Sequence, residues 1–283
     1  MRVAVIGHVE WIEFVRVARV PAPGDIVHAS KWWEAPGGGG AVAAVQLARL
    51  AGECTFYTAL GTDALGTRAR AELTAMGLRL EAAVRPLPQR RGFTYVDDAG
   101  ERTITVIGER LAPQAADPLA WDLLAEVDAV YLTAGDVDTV RLARRARKLV
   151  ATSRILPILR AAGVVLDALV GSSRDPSERY AAGDLDPPPP LVVRTAGSAG
   201  GSYELADGRR HDYAATPLPG PVVDAYGCGD SFAAGLTYAL GAGLAPDEAV
   251  QLAARCGAAA LTGRGPHGGQ LGREDLSIEK SHH

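Results

Sequence analysis

The sequence predicts an α/β fold: a doubly wound, mostly parallel β-sheet with helices on both faces, plus a small β-sheet appended to it. Short runs of β-branched residues alternate along the chain with stretches rich in alanine, leucine and arginine, and strands that alternate with helices form parallel sheets. Two segments, 14–21 and 92–107, break this rhythm with short extended pieces. The second segment folds back at the turn 97–100, so we expect the small sheet to be antiparallel.

The core elements are predicted from apolar runs and from the glycines and prolines that separate them. Buried strands are short apolar runs, and we expect them at residues 3–6, 55–60, 127–133, 163–169 and 191–194. Helices carry apolar residues on successive turns, and we expect them at residues 40–51, 66–77, 137–149, 229–240 and 246–261. The helix over 137–149 is crowded with basic residues, which we interpret as a solvated face: Arg141, Arg144, Arg145, Arg147 and Lys148.

Composition indicates a globular protein and excludes several classes. Of 283 residues, 47% are hydrophobic and 22% charged, which is ordinary for globular chains. A net charge of −4 gives no reason to expect nucleic acid or an acidic membrane as a partner. No segment approaches the roughly 18 apolar residues of a membrane span, and the run 3–6 ends in a turn instead of forming a signal peptide. Three scattered cysteines, Cys54, Cys228 and Cys256, indicate a reducing, cytoplasmic location.

The segment 224–232 is the most informative part of the sequence. Gly227 and Gly229 let backbone N–H groups converge where a helix begins, and the unpaired donors and the helix dipole there favour an anion such as phosphate. Asp230 falls in the first turn beside that site, where a carboxylate can accept a proton from a substrate hydroxyl. The alternative is a glycine-rich loop in which Asp230 only caps its helix.

This segment resembles the C-terminal signature of the ribokinase-like (PfkB) carbohydrate kinases, D-T-x-G-A-G-D before a helix of small residues. Further segments agree in order and spacing: 36–40 is similar to the P-G-G motif, 61–66 to G-x-D-x-x-G, 100–102 to G-E-R and 192–200 to V-V-T-x-G-x-x-G. The resemblance covers nearly the whole chain. It implies ATP-dependent phosphoryl transfer to a hydroxyl group, with a sugar as the expected acceptor and a nucleoside as the second candidate.

By matched position, the resemblance implies roles for single residues. Asp230 is the expected catalytic base, and the N–H groups of Gly227, Cys228 and Gly229 are the expected anion hole. The residues expected along the nucleotide are Thr195, Gly197 and Gly200.

Cations are implied at two further places. The segment 175–178 is most similar to the family's N-x-x-E element, so Asp175 and Glu178 are expected beside ATP, with Glu178 helping to organise Mg²⁺. Asp224 stands where the family often has a monovalent cation, typically K⁺. The segment 263–268 spells G-x-G-x-x-G but follows a helix, so we interpret it as a closing loop whose Arg264 approaches the phosphates and not as a dinucleotide motif.

The resemblance also implies one domain over residues 1–283, with lid strands within about 12–35 and 90–108. Such a lid closes over the acceptor and often forms the contact of a homodimer. We assign no chemistry to His282 and His283, since 281–283 resembles the stub of an expression tag.

Three positions near the predicted phosphate site depart from the family pattern. Cys228 replaces an alanine; a thiol at a helix N-terminus can have a lowered pKa, whereas the alternative is a small space-filler. Tyr226 replaces a threonine. Asp175 replaces an asparagine, which adds negative charge beside a triphosphate and would weaken Mg²⁺ binding.

The sugar pocket departs furthest. Ile12 stands in place of the usual aspartate, Val42 in place of an asparagine, and Gly39 in place of a common lysine. By matched position, the resemblance implies that Gly38 and Gly39 line the acceptor site. Glu10 and Glu13 flank Ile12, and we expect either one to hold sugar hydroxyls. The nearby tryptophans predict a flatter, less hydroxylated acceptor, unless they only pack the core or the lid: Trp11, Trp32 and Trp33.

A second hypothesis is a sugar- or nucleotide-binding protein that has lost catalysis. The altered pocket and Asp175 favour it, whereas the intact segment 227–230 favours a kinase. The sequence contains neither a G-x-x-x-x-G-K-[ST] P-loop nor a G-x-S-x-G elbow, which excludes those NTPases and hydrolases.

Overall fold

A computed structural model describes residues 1–276; residues 277–283, which include His282 and His283, lie outside the described part. The strands are β1 (Val3–Ile6), β2 (Glu10–Arg16), β3 (Lys31–Gly37), β4 (Cys54–Gly61), β5 (Leu78–Arg85), β6 (Arg91–Val96), β7 (Arg102–Ile107), β8 (Ala129–Leu132), β9 (Lys148–Thr152), β10 (Ala168–Ser172), β11 (Leu191–Thr195), β12 (Gly201–Leu205) and β13 (Arg210–Tyr213). The α-helices are α1 (Gly39–Ala51), α2 (Ala64–Ala75), α3 (Val137–Ala143), α4 (Leu156–Ala162), α5 (Cys228–Gly241) and α6 (Pro246–Ala260). No helix within 1–276 combines the length and apolar character needed to cross a bilayer.

The large sheet has nine strands in the order β13-β12-β11-β10-β9-β8-β1-β4-β5. The pairs from β11 to β5 are parallel, and β12 and β13 continue the sheet as antiparallel strands at one edge. Since side chains alternate along a strand, Val3 and Val5 pack into the core under α1, α2, α5 and α6, while Ala4 and Ile6 pack on the opposite face under α3 and α4. The predicted mostly parallel sheet with helices on both faces is confirmed.

The small sheet contains β3-β2-β6-β7 and is mixed, which corrects the expected antiparallel arrangement. β2 pairs in parallel with β6 because β2 follows β1 and β6 follows β5, so both enter the small sheet from the same edge of the large one. The predicted hairpin between β6 and β7 is confirmed. Its turn is closed by Asp97 Oδ1, which accepts the N–H groups of Ala99 and Glu101 at 3.0 Å each.

The predicted helix over 137–149 is wrong in its second half. α3 ends at Ala143 and β9 begins at Lys148, where an apolar stretch enters the sheet as a buried strand. The basic residues therefore do not share one helix face. They form ion pairs: Arg141 with Asp138, Arg144 and Lys148 with Asp167, Arg145 with Asp122, and Arg147 with Asp128.

The strand predicted over 163–169 begins later, at Ala168. Gly163 instead ends α4 in a left-handed conformation with φ of 62°. Four further elements were not predicted from the sequence: α4, β5, β12 and β13. They are short or alternate between apolar and polar residues, so contacts with neighbouring strands, not local composition, decide their conformation.

A contact between two glycines brings β1 and α1 together. A Cβ atom on Gly7 would lie 2.7 Å from Gly40 Cα, and a Cβ atom on Gly40 would lie 2.7 Å from both backbone N and O of His8. Side chains do not fit at such distances, so the turn after β1 can reach the N-terminus of α1 only with glycine at both positions. This contact sets the position of the loop 37–40.

We expect Gly40→Ala to lower the free energy of unfolding by about 1–3 kcal/mol, because the methyl group would press on backbone atoms that cannot move aside. Urea unfolding followed by circular dichroism measures the change. Gly220→Ala is the control, since its Cβ atom would meet its nearest neighbour at 3.8 Å; it should change stability by less than about 0.5 kcal/mol. Equal stabilities of the two variants would contradict the glycine contact.

Candidate active site

A cavity of about 800 Å³ lies between the two sheets. Its floor is the carboxyl edge of the large sheet, where His8, Thr133, Ser172 and Thr195 follow or end β1, β8, β10 and β11. Side chains of the small sheet cover it, among them Ile104 of β7. In open parallel sheets the crevice at the carboxyl edge is the usual place for a ligand.

The N-terminus of α5 opens into this cavity. Gly227 is its N-cap residue, with a left-handed φ of 78°, and a Cβ atom there would lie 2.9 Å from a methyl group of Val42. Cys228 and Gly229 follow and also line the cavity. Because the first N–H groups of a helix have no partner within it, these amides can bind an anion.

Asp230 lies in the first turn of α5, half-buried at the cavity wall. Within residues 1–276 no group donates a hydrogen bond to its side chain, so Asp230 does not cap the helix. A Cβ atom on Gly39 would come within 2.8 Å of Asp230 Oδ1, so glycine at 39 leaves room for the carboxylate. Burial raises the pKa of Asp230 to about 6, against the opposing effect of the Arg102 guanidinium.

The loop before α5 is held by Asp224, which is fully buried and does not line the cavity. Its Oδ1 accepts the N–H group of Tyr226 at 2.8 Å, and its Oδ2 accepts the N–H group of Gly265 at 2.9 Å. Burial raises the pKa of this carboxyl group. Arg264 is exposed, with its guanidinium 5.5 Å from the ring of Trp33, and it does not line the cavity either.

On the side of the cavity formed by β10 and β11, Thr195 and Gly197 line the wall. Gly200 lies behind them, where its N–H group donates to the carbonyl oxygen of Gly197 at 3.0 Å. A Cβ atom on Gly200 would lie 2.0 Å from the carbonyl oxygen of Tyr213, so Gly200 shapes the turn and does not border the cavity.

The acidic pair Asp175 and Glu178 lies on the same side and lines the cavity. Arg154 contacts both carboxylates, with Nη2 2.8 Å from Asp175 Oδ2, and Glu178 Oε2 accepts the N–H group of Ser172 at 2.7 Å. Mg²⁺ binds carboxylate oxygens and usually keeps several water ligands, which can in turn donate hydrogen bonds to further carboxylates. The pair therefore fits an indirect role in holding Mg²⁺.

At the other end of the cavity, Glu10, Gly38 and Gly39 line the wall, but Glu13 does not. Glu13 lies farther along β2, where its Oε1 accepts from Arg91 Nε at 3.1 Å. Glu10 forms an ion pair with Arg90, with 2.9 Å between Oε1 and Nε.

None of the three described tryptophans proposed for the pocket lines the cavity. Trp11 is fully buried beneath Arg68, Trp33 stacks on Phe14 at 5.1 Å between ring centroids, and Trp32 is 61% exposed. The expectation that they border the acceptor is wrong, and the packing alternative describes Trp11 and Trp33.

The polar anchors that the resemblance led us to expect are replaced by an apolar cluster. Ile12 and Val42 are fully buried together with Phe14, Val96 and Tyr226. Tyr226 also accepts the N–H group of Gly38 at its hydroxyl oxygen, at 2.9 Å, and so orders the glycine loop. The threonine-to-tyrosine change thus adds a contact between two parts of the cavity wall.

Of the two alternatives for Cys228, the small space-filler agrees with the structure, and a lowered pKa of its thiol does not. Burial raises the pKa of this thiol, and the nearby carboxylate of Asp230 raises it further, against the effect of Arg102. Cys228 therefore serves as a small residue whose thiol stays protonated.

Most of the basic residues of the cavity were not predicted from the sequence. Five arginines line it: Arg90, Arg102, Arg110, Arg154 and Arg174. Arg102 lies in the G-E-R segment and could have been found from it. The others are single arginines in separate segments, and only the fold brings them together.

Comparison with known proteins agrees with this geometry. The ATP-dependent ribose-1-phosphate kinase of Halopiger xanaduensis is 28% identical over 276 residues, which is 91% of each chain. Among solved structures, the ribokinase of Thermotoga maritima has a TM-score of 0.78 at 21% identity and 98% coverage of both chains. The Arabidopsis thaliana ribokinase complexed with ribose and ATP has a TM-score of 0.76 at 19% identity and 97% coverage of both. At these identities the structural matches show a shared fold.

The family itself is shown by sequence. The model of the family described as "pfkB family carbohydrate kinase" matches residues 1–172 and 166–270. The matched range contains both sheets, the glycine loop and the N-terminus of α5 that meet at the cavity. With nearly its whole length matched and these parts assembled at one site, the chain belongs to the pfkB family of carbohydrate kinases.

Proposed function

We propose that the protein transfers the γ-phosphoryl group of ATP to a hydroxyl group of a sugar or a sugar-like small molecule, with Asp230 as the base. The observation that carries this proposal is the Asp230 carboxylate, which is half-buried, without a hydrogen bond from the described residues, and next to the free amides of α5. ATP as donor agrees with the printed name of the Halopiger relative and with the ATP in the Arabidopsis ribokinase complex.

In this mechanism the hydroxyl oxygen of the acceptor forms a bond to the γ-phosphorus while the bond from that phosphorus to the β–γ bridging oxygen breaks. ADP leaves with the electron pair of the broken bond, and the hydroxyl proton goes to Asp230. The N–H groups of Gly227, Cys228 and Gly229 stabilise negative charge on the transferred phosphoryl group. Closure of the small sheet would exclude water, which otherwise competes as acceptor.

We propose that Thr195 and Gly197 border the nucleotide, with Gly200 supporting their turn. Asp175 and Glu178 would hold Mg²⁺ through water, and when bound the ion neutralises charge on the phosphates of ATP. Arg154 already contacts both carboxylates, which offsets the extra charge of an aspartate at 175. Arg264 would reach the nucleotide only after a movement of its loop.

We propose that a monovalent cation, typically K⁺, binds near Asp224. Asp224 is fully buried, and each of its oxygens accepts one backbone N–H group, which leaves lone pairs on both. We derive no step through K⁺. Initial rates in K⁺ and in Na⁺ buffers test this: a requirement for K⁺ supports the site, and equal rates contradict it.

We further propose that the chain acts as one domain whose small sheet, within about 12–35 and 90–108, is a lid and the contact of a homodimer. β7 is exposed along its whole length at the edge of that sheet, and Ile107 is 45% exposed. An edge strand of this kind is suited to pairing with another copy. Multi-angle light scattering would contradict the dimer by giving the mass of a monomer.

A cytoplasmic location is part of the proposal, since ATP is the donor and all three cysteines are unpaired. A nucleoside acceptor is the second candidate. A binding protein that has lost catalysis is the third, and the experiment below separates it from the kinases.

We expect ADP release from ATP and Mg²⁺ to depend on an acceptor from a panel of sugars, sugar phosphates and nucleosides, and to fall by about 100-fold or more in Asp230→Asn. Because burial raises the pKa of Asp230, this carboxylate makes the folded protein less stable as pH rises from about 4 through 6. Asp230→Asn should therefore melt no lower than wild type at pH 7.5. Unchanged turnover in the variant would exclude Asp230 as the base, and absence of turnover with every acceptor would favour the binding protein.

We expect kcat/KM for the acceptor to fall tenfold per pH unit below about pH 6, because protonated Asp230 cannot accept a proton. Since Arg102 lowers the pKa of Asp230, Arg102→Gln should move this acid limb to higher pH. Rates between pH 4.5 and 8.5, with acceptor well below KM, measure both effects. An acid limb that stays in place in Asp230→Asn would assign it to another group.

We expect Glu10→Gln to raise KM for the acceptor by about tenfold, because an amide oxygen accepts hydrogen bonds from hydroxyl groups more weakly than a carboxylate. Glu13→Gln is the matched control from the same strand: its side chain pairs with Arg91 outside the cavity and should leave KM within about twofold. A larger rise in KM in Glu13→Gln than in Glu10→Gln would mean that Glu13, and not Glu10, contacts the acceptor.

A further inference from the structure

Four of the five arginines of the cavity divide between its two ends, and the fifth, Arg102, acts on Asp230. Arg154 contacts Asp175 and Glu178, and Arg174 lies over Gly197, where a Cβ atom would be 2.7 Å from its Nη1. These two belong to the proposed nucleotide end. Arg90 and Arg110 lie with Glu10 and His8 at the other end, where burial and the nearby positive charge of Arg90 lower the pKa of Arg110.

The loop of Gly38 and Gly39 joins this second end to the catalytic residues. A Cβ atom on Gly38 would lie 3.0 Å from Glu10 N and 3.2 Å from His8 Cδ2, whereas one on Gly39 would lie 2.8 Å from Asp230 Oδ1. A small acceptor resting on these two glycines can therefore contact Asp230 on one side and the group of Glu10, His8 and Arg90 on the other.

Charge at this end is positive. Arg90 and Arg110 face a single carboxylate, Glu10, whose pKa is raised by burial. His8 adds no charge. Burial and the neighbouring arginines lower its pKa to about 3, so the ring is neutral near pH 7. The nearest opposite charge thus balances at most one of the two guanidinium groups.

Arg110 has an unpaired guanidinium group at this end. Within residues 1–276 it has neither a hydrogen bond nor an ion pair, and its exposed side chain lines the cavity. Arg90 lines the cavity as well and is held by Glu10, with 2.9 Å between Arg90 Nε and Glu10 Oε1. An unpaired guanidinium group in a cavity wall, with a second one nearby, is suited to an anionic ligand.

We propose that the acceptor is a sugar phosphate: its phosphate monoester binds Arg90 and Arg110, and its free hydroxyl group lies at Asp230. This rests on the proposed kinase function and adds the substrate class. Guanidinium groups bind phosphate through paired N–H donors, and Glu10 leaves at least one of the two positive charges uncompensated for a phosphate. The fully buried apolar pair Ile12 and Val42, in place of polar anchors, agrees with an acceptor held by its phosphate more than by its hydroxyls. The product is a sugar bisphosphate.

The test compares pentoses and hexoses with their own monophosphates as acceptors, among them ribose, ribose 1-phosphate and ribose 5-phosphate. We expect at least one monophosphate to exceed its parent sugar by about 100-fold or more in kcat/KM. Arg110→Gln should lower that value by roughly 10- to 100-fold, with KM for ATP unchanged, and Arg110→Lys should restore part of it. Arg91→Gln is the matched control, because Arg91 directly follows Arg90 in the chain but pairs with Glu13 outside the cavity.

Binding without turnover separates this inference from the kinase function. Calorimetry with the preferred monophosphate, in the absence of ATP, should show binding to wild type and to Asp230→Asn but a roughly 10- to 100-fold loss in Arg110→Gln. That pattern supports the phosphate site even if no acceptor is turned over, in which case only the kinase function fails.

Three results would overturn the phosphate site. The first is a parent sugar turned over as well as its monophosphate, with Arg110→Gln unchanged, which leaves the kinase function intact. The second is a raised KM for ATP in Arg110→Gln at unchanged acceptor kinetics, which assigns Arg110 to the nucleotide. The third is the lack of both binding and turnover for every monophosphate.

Discussion

The buried carboxylate of Asp224 is the interaction on which the geometry of the site depends. It receives one backbone N–H group from its own loop and one from the segment after α6, which fixes the loop that leads into α5. Tyr226, two residues on, then reaches Gly38 with its hydroxyl oxygen and positions the glycine loop against Asp230. Burying a carboxylate is costly, and its raised pKa shows that the two N–H groups offset this cost only in part.

The small sheet is attached to the same loop, so the cover of the cavity and its anion site are mechanically linked. The carbonyl oxygen of Gly100 accepts the N–H group of Ala225 at 3.0 Å, Arg102 Nη1 donates to the carbonyl oxygen of Ala225 at 2.8 Å, and Arg16 donates to that of Val223 at 2.8 Å. A movement of the small sheet would therefore shift the loop at the start of α5. This coupling is what a lid needs if closure is to complete the site.

Burial shifts the pKa of acids and bases at the cavity in opposite directions. It raises the pKa of Asp230 and of Glu10 and lowers that of His8. The cavity therefore presents five guanidinium groups beside these two weakly acidic carboxyls and a neutral imidazole. Such a surface suits phosphates at both ends and leaves one carboxylate able to take up a proton near pH 6.

The amino-acid sequence was enough to predict the family, the alternation of strands and helices, and the segment 227–230, because these depend on glycines and short apolar runs that are recognised locally. Half of the region 137–149 was predicted wrongly, since no local feature distinguishes the apolar strand there from the arginine-rich helix before it. The folded chain was needed to show which of Glu10 and Glu13 borders the cavity, because that depends on their positions along β2 and on Arg91. It was also needed to show that Arg90, Arg110, Arg154 and Arg174 meet, since long-range pairing of strands, not spacing in the chain, sets the distances between their side chains.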